Sequence, residues 1–112
     1  MKKNNVRARS VGVALCVLLV APGLSVAQTA FDPAQVAAGE EVYRDYCWTC
    51  HGEGLRNTAG VTFDLRRLRA ADHERFVKSV LDGKGQMPPW RGAHTMVQIE
   101  AVWAYIRATV DR

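Results

Sequence analysis

The sequence is short of several things. No acidic residue occurs in its first 27 positions, although eleven follow. No internal repeat or low-complexity tract is visible, which excludes a repeat array. No segment reads as a convincing strand, which leaves helices as the building elements. Cysteine is scarce: of three, Cys16 lies near the start and only Cys47 and Cys50 lie together. At 112 residues the chain holds one domain at most.

The acid-free start has its own logic. Lys2, Lys3, Arg7 and Arg9 precede an apolar run from Val11 to Val20 that only Gly12 interrupts. The run is short for a bilayer span, which takes about 20 residues. Pro22 and Gly23 end it, and Ser25-Val26-Ala27 is a small-x-small cleavage pattern. This order reads as a secretory signal over residues 1–27, with an uncleaved membrane anchor as the other reading. Cys16 follows Leu15 inside the apolar run, where a lipoprotein signal wants a small residue, so it reads as an ordinary leader residue.

Removing that leader changes the charge. The formal net charge of +4 owes four of its fifteen bases to residues 1–27 and none of its eleven acids. The domain from Gln28 to Arg112 then carries eleven of each. The basic character belongs to the export segment, so nucleic-acid binding, which needs a basic face on the folded domain, gains no support. A domain of about 85 residues buries little apolar surface and is often helped by a staple or a cofactor.

Three helices are expected. Asp32 can cap the first, Pro33 suits its first position and Gln35 stands where a capping-box partner belongs. Val36, Gly39, Tyr43 and Cys47 recur every three or four residues and share one face. Residues 52–64 read as loop. A second helix is expected from Asp72 to Leu81, with Phe76, Val77, Val80 and Leu81 inward and Gly83 as its stop. Gly83 to Trp90 is too rich in glycine and proline for a regular element. A last helix starts at Thr95 with Gln98 as capping partner. Ile99, Val102, Ile106 and Val110 form its inner stripe, with Trp103 and Tyr105 on its flanks. The fold class is all-α.

The strongest motif is Cys47-Trp48-Thr49-Cys50-His51. Two thiols three positions apart lie on adjacent turns and can bond the two vinyl-derived carbons on one edge of a haem. The histidine that follows then reaches the iron. A thioredoxin-like redox pair would need a βαβ context. A structural zinc site would need a fourth ligand. A simple disulfide is the bland outcome of export.

A second axial ligand must come from elsewhere, and Met87, Met96, His73 and His94 are the choices. Met87 sits in a loop bounded by Gly85, Pro88 and Pro89, whose stiffness would hold a sulfur in place at little entropic cost. A lone methionine is ordinarily core filler; here the loop composition favours ligation. Met96 falls in the first turn of the last helix, and His73 and His94 read as surface or capping residues.

With these residues in view the domain resembles a class I c-type cytochrome across nearly all of residues 32 to 110. The resemblance rests on Gly39 and Tyr43 before the motif, the motif itself, Met87-Pro88, and the closing Trp103-Ala104-Tyr105-Ile106. It implies one covalently bound haem c, held by Cys47 and Cys50, wrapped by three to four helices, with His51 and Met87 on the iron. It also implies that the first and last helices meet at Gly39, with Tyr105 packing over it. The family carries a proline shortly before an Asp/Asn-Leu pair, where a carbonyl holds the ring N–H of the haem histidine. Phe63-Asp64-Leu65 occupies that place, so the proline is missing, and a carbonyl near Phe63 is left to orient His51. Asp64 to Arg67 and Gly83 to Gly92 further resemble small cytochromes that accept electrons from pyrroloquinoline-quinone alcohol dehydrogenases. Arg66, Arg67 and Trp90 are candidates to hold the haem propionates; a solvated basic face and simple packing on the haem edge are the alternatives.

The function implied is a periplasmic, monomeric one-electron carrier that is not an enzyme. It would accept electrons from a quinoprotein alcohol dehydrogenase and pass them to a terminal oxidase or another cytochrome. Two other readings remain: a haem subunit tethered in a larger oxidoreductase, and a haem protein whose methionine yields to a small ligand.

Overall fold

The computed structural model describes residues 31–57, 60 and 62–112, so the leader, its cleavage site and the start at Gln28 lie outside the described residues. Helix α1 (Pro33–Tyr46) leads into a single turn, α2 (Trp48–His51); α3 (His73–Asp82) and α4 (Met96–Val110) follow. Short 3-10 turns at Glu53–Leu55, Leu65–Arg67 and Ala70–Asp72 fill the connection before α3. Among the described residues there is no strand, only isolated bridges pairing Lys84 with Met87 and Arg91 with His94. The molecule is all-α. No helix among them is long and apolar enough to cross a membrane.

Local chemistry explains the boundaries. The Asp32 carboxylate accepts from the Ala34 N–H at 2.9 Å, and Pro33 supplies a fixed φ at the first helical position. The capping box expected of Gln35 does not form, because Asp32 bonds the second helical N–H and not the third. At α4 the box is complete: Gln98 N–H donates to Thr95 Oγ1 at 3.2 Å, and Thr95 N–H donates to Gln98 Oε1 at 2.9 Å. Helix α3 begins one residue later than expected and stops at Gly83, whose φ of 76° suits a residue without Cβ.

The core lies where α1 meets α4. A Cβ on Gly39 would fall 1.8 Å from the Ala101 carbonyl oxygen, so only glycine lets the two backbones approach this closely. The Ala101 backbone lies nearest the glycine, and Tyr105 lies against Tyr43, one turn further along α1, with ring centroids 5.2 Å apart. Trp103 and Tyr105 flank the inner stripe of α4. Both are buried, as is α4 on all sides from Ala101 to Arg107, because α1, α3 and the Leu65–Leu68 segment surround it. Phe76 of α3 reaches Trp103 at 5.1 Å. Arg107 is buried among them and donates to the Leu68 carbonyl at 2.5 Å, which pins that segment to α4.

Leu55 is the largest departure within the 52–64 loop. It is fully buried in the core at a φ of 66°, a conformation that costs a non-glycine residue about 1 kcal/mol or more. Burying a leucine side chain returns about 1.5–3 kcal/mol, so the core contact wins.

Candidate haem site

The haem motif is folded as one continuous turn. Tyr43 receives the Cys47 N–H at 2.8 Å, and Cys47 receives the N–H groups of Cys50 and His51 at 3.2 and 3.0 Å. The Tyr43 hydroxyl, buried in the core, donates to the Gly52 carbonyl at 2.5 Å and clamps the far end of the turn. Burial also pushes the Tyr43 phenol well above its ordinary range, so it stays a donor. Cys47 and Cys50 are free thiols, the first half-buried and the second exposed. Burial, with Cys50 beside it, pushes the Cys47 thiol up to about 11, so it stays protonated at neutral pH.

His51 has one side chain atom committed. Its Nδ1 lies 3.2 Å from the Phe63 carbonyl oxygen. A carbonyl only accepts, so Nδ1 carries the proton and Nε2 keeps a free lone pair. Burial lowers the imidazole pKa and the Phe63 bond offsets part of that shift, which favours the neutral ring a metal requires. The carbonyl stands where the missing proline had left it in doubt.

Met87 lies in a loop folded back on α3. Lys84 and Met87 exchange backbone hydrogen bonds at 3.0 and 3.1 Å, and Trp90 and Arg91 donate to the Val80 and Leu81 carbonyls at 2.9 and 3.2 Å. A Cβ on Gly83 would fall 2.8 Å from the Met87 carbonyl oxygen, so the loop closes against a residue that must be small. The Trp90 ring then meets Tyr46, the residue before Cys47, at 5.8 Å. This contact joins the Met87 loop to the haem motif across more than forty residues of sequence.

The other candidates fall elsewhere. His73 pairs with Glu100 at 2.8 Å and packs edge-on against Trp103. Met96 is about half exposed, at the rim of a groove between α3 and α4 lined also by Val77 and Leu81. His94 stacks on Trp90 at 5.0 Å and meets Tyr46 edge-on at 4.6 Å, with both ring nitrogens buried and without a hydrogen-bond partner. Sequence reading missed this Tyr46–Trp90–His94 cluster, since no spacing rule links the three. Arg66 grips Asp64 with two bonds of 3.0 and 2.8 Å, and Arg67 is exposed. The Trp90 ring contacts are with Tyr46 and His94.

Two free thiols a turn apart, a proton-bearing Nδ1 that leaves Nε2 open, and a methionine loop hydrogen-bonded back onto α3 fit a haem of the c type, bound through its vinyl edge. The family described as cytochrome C oxidase, cbb3-type, subunit III matches residues 34–106. Cytochrome c-551 of Bacillus subtilis (strain 168) is 30% identical over 93 residues, 77% of this chain and 81% of that protein. Cytochrome c6 of Leptolyngbya boryana is 34% identical over 77 residues, 65% of this chain and 91% of that protein. Quinohemoprotein alcohol dehydrogenase ADH-IIG of Pseudomonas putida is 32% identical over 77 residues. Those residues make up 67% of this chain but only 11% of that enzyme. No solved structure matches the chain. The chain belongs to this cytochrome c family, as a monohaem class I cytochrome c, and its cofactor is covalently bound haem c.

Proposed function

We propose that the protein is a periplasmic one-electron carrier whose haem is bonded to Cys47 and Cys50 and ligated by His51 and Met87. The single observation that carries this reading is the His51 Nδ1 contact with Phe63, which leaves Nε2 as the metal-binding atom. The Met87 loop, tied to α3 and meeting Tyr46 through Trp90, supports a fixed second ligand. Haem held by these residues would supply a one-electron couple between ferric and ferrous iron. With His51 and Met87 both ligating, no position on the metal would be left for substrate, so the chain would act as a carrier and not as an enzyme. A thioether favours Fe(II), so a Met/His pair raises the reduction potential.

Met87→Ala should abolish the weak sulfur-to-iron charge-transfer band of the ferric protein and lower its potential, while Met96→Leu should do neither. The reverse pattern would overturn the ligand assignment. The likeness to the cytochrome portion of quinohemoprotein alcohol dehydrogenases, together with the Asp64–Arg67 and Gly83–Gly92 segments, supports a quinoprotein alcohol dehydrogenase as electron donor. The periplasmic assignment rests on the leader pattern ending at Ala27. An intact-mass spectrum of the exported protein should show a chain beginning at or near Gln28 with the mass of one haem added. Retention of residues 1–27 would favour a tethered form.

A further inference from the structure

We propose that Thr62 is a positioning residue that sets the reduction potential by fixing the carbonyl that holds His51, a role that rests on His51 being the iron ligand. Two consecutive links join the haem motif to the loop beyond it, each spanning twelve residues. The Thr62 hydroxyl donates to the Cys50 carbonyl at 2.8 Å, and one residue on, His51 Nδ1 donates to the Phe63 carbonyl at 3.2 Å. The second link is long for an N–H···O bond, so small movements of residue 63 change it appreciably.

Nothing covalent restrains residue 63. Phe63 stands where a proline would lock φ, so hydrogen bonds and packing must hold its carbonyl in place. Thr62 is gripped on both sides: its hydroxyl binds Cys50, and its carbonyl accepts from the Asn57 amide, whose oxygen in turn receives the Gly60 N–H at 3.2 Å. On the other side of Phe63, the Asp64 carboxylate caps the Leu65–Arg67 turn. The Phe63 side chain is itself substantially exposed, under the Arg75 guanidinium, and so contributes little anchoring. The Thr62 hydroxyl thus ties the backbone of the haem turn directly to the residue before Phe63.

A partner for Nδ1–H makes a ligating imidazole a stronger donor, which stabilises the ferric state. Loosening that bond therefore moves the potential upward. The test uses the exported, haem-loaded protein. Thr62→Val keeps the shape and removes the hydroxyl; Thr62→Ser keeps the hydroxyl. Thr62→Val should raise the reduction potential and speed exchange of the His51 Nδ1 proton about fivefold, the factor set by one ordinary hydrogen bond. The sulfur-to-iron band should stay in place, and Thr62→Ser should match the wild type in every measurement. Unchanged potential and exchange in Thr62→Val, or an equal shift in Thr62→Ser, would overturn the proposal. If Thr62→Val fails to load haem, Thr62→Ala takes its place; failure of both would make the hydroxyl a requirement of folding and overturn the tuning role. Loss of the histidine signature in the wild-type haem would remove the ligand assignment itself, an outcome separate from an unresponsive Thr62→Val.

Discussion

Gly39 and Tyr43 lie one turn apart on α1 and do different work. Gly39 sets how closely α1 approaches α4, and Tyr43 ties α1 to the end of the haem turn through Gly52. A methyl group at position 39 meets the backbone of Ala101, not the end of a flexible side chain, so relief requires one helix to move. Gly39→Ala should therefore destabilise the protein by about 3 kcal/mol, at the upper end for overpacking, despite the better helix propensity of alanine. Chemical denaturation of the haem-loaded variant checks this, and an unchanged midpoint would show that the helices do not meet as described. Both residues were legible in the sequence through their spacing. The partner of Gly39 was not, because which backbone covers a glycine depends on how two helices cross.

Among the elements, α3 shows how local charge supports a boundary. Asp72 ends the Ala70–Asp72 turn and precedes α3; its carboxylate accepts from the Arg69 N–H at 2.8 Å and from the Arg69 guanidinium at 3.0 and 3.1 Å, with Arg75 at 3.4 Å. The Arg69 bonds, aided by the charge of Arg75, hold the Asp72 carboxyl well below the usual range. Since its folded pKa is depressed, its contribution is complete above the unfolded value of about 4 and fades as pH falls below it. Asp72→Asn should lower the melting temperature at pH 7, and the gap to wild type should narrow below about pH 4. A gap that persists undiminished at pH 2 would assign the effect to shape and not to charge. The helix itself was readable from its apolar positions; the turn before it was not, since its stabilising bonds come from side chains whose geometry the sequence leaves open.

At the scale of the molecule, charge bears on encounter with a redox partner. From Gln28 onward acids and bases are equal in number. Bases in the Asp64–Arg67 and Gly83–Gly92 segments are partly neutralised where they stand: Arg66 binds Asp64, and Arg91 binds Asp82 at 2.5 Å. Long-range steering should then be modest, and stopped-flow reduction by a substrate-loaded quinoprotein alcohol dehydrogenase should slow only slightly with added salt. A steep salt dependence, lost in Arg91→Glu but kept in Arg112→Glu, would instead reveal a charged contact patch beside the Met87 loop. No reduction on the timescale of dehydrogenase turnover would remove this donor.

The sequence alone determined the three longer helices, their caps at Asp32 and Thr95, the stop at Gly83 and the Cys47–His51 motif, because each is encoded over a few consecutive residues by spacing, cap chemistry or conformational freedom. It also pointed to the Phe63 region as the source of the carbonyl that holds His51. Tertiary structure decided the rest. It turned Leu55 from loop residue to core, buried Trp103 and Tyr105 together, and gathered Tyr46, Trp90 and His94 at the start of the Cys47–His51 motif. It also linked Thr62 to Cys50. These contacts join residues distant in sequence, and their free energy depends on how the helices approach, which no short stretch of sequence specifies by itself.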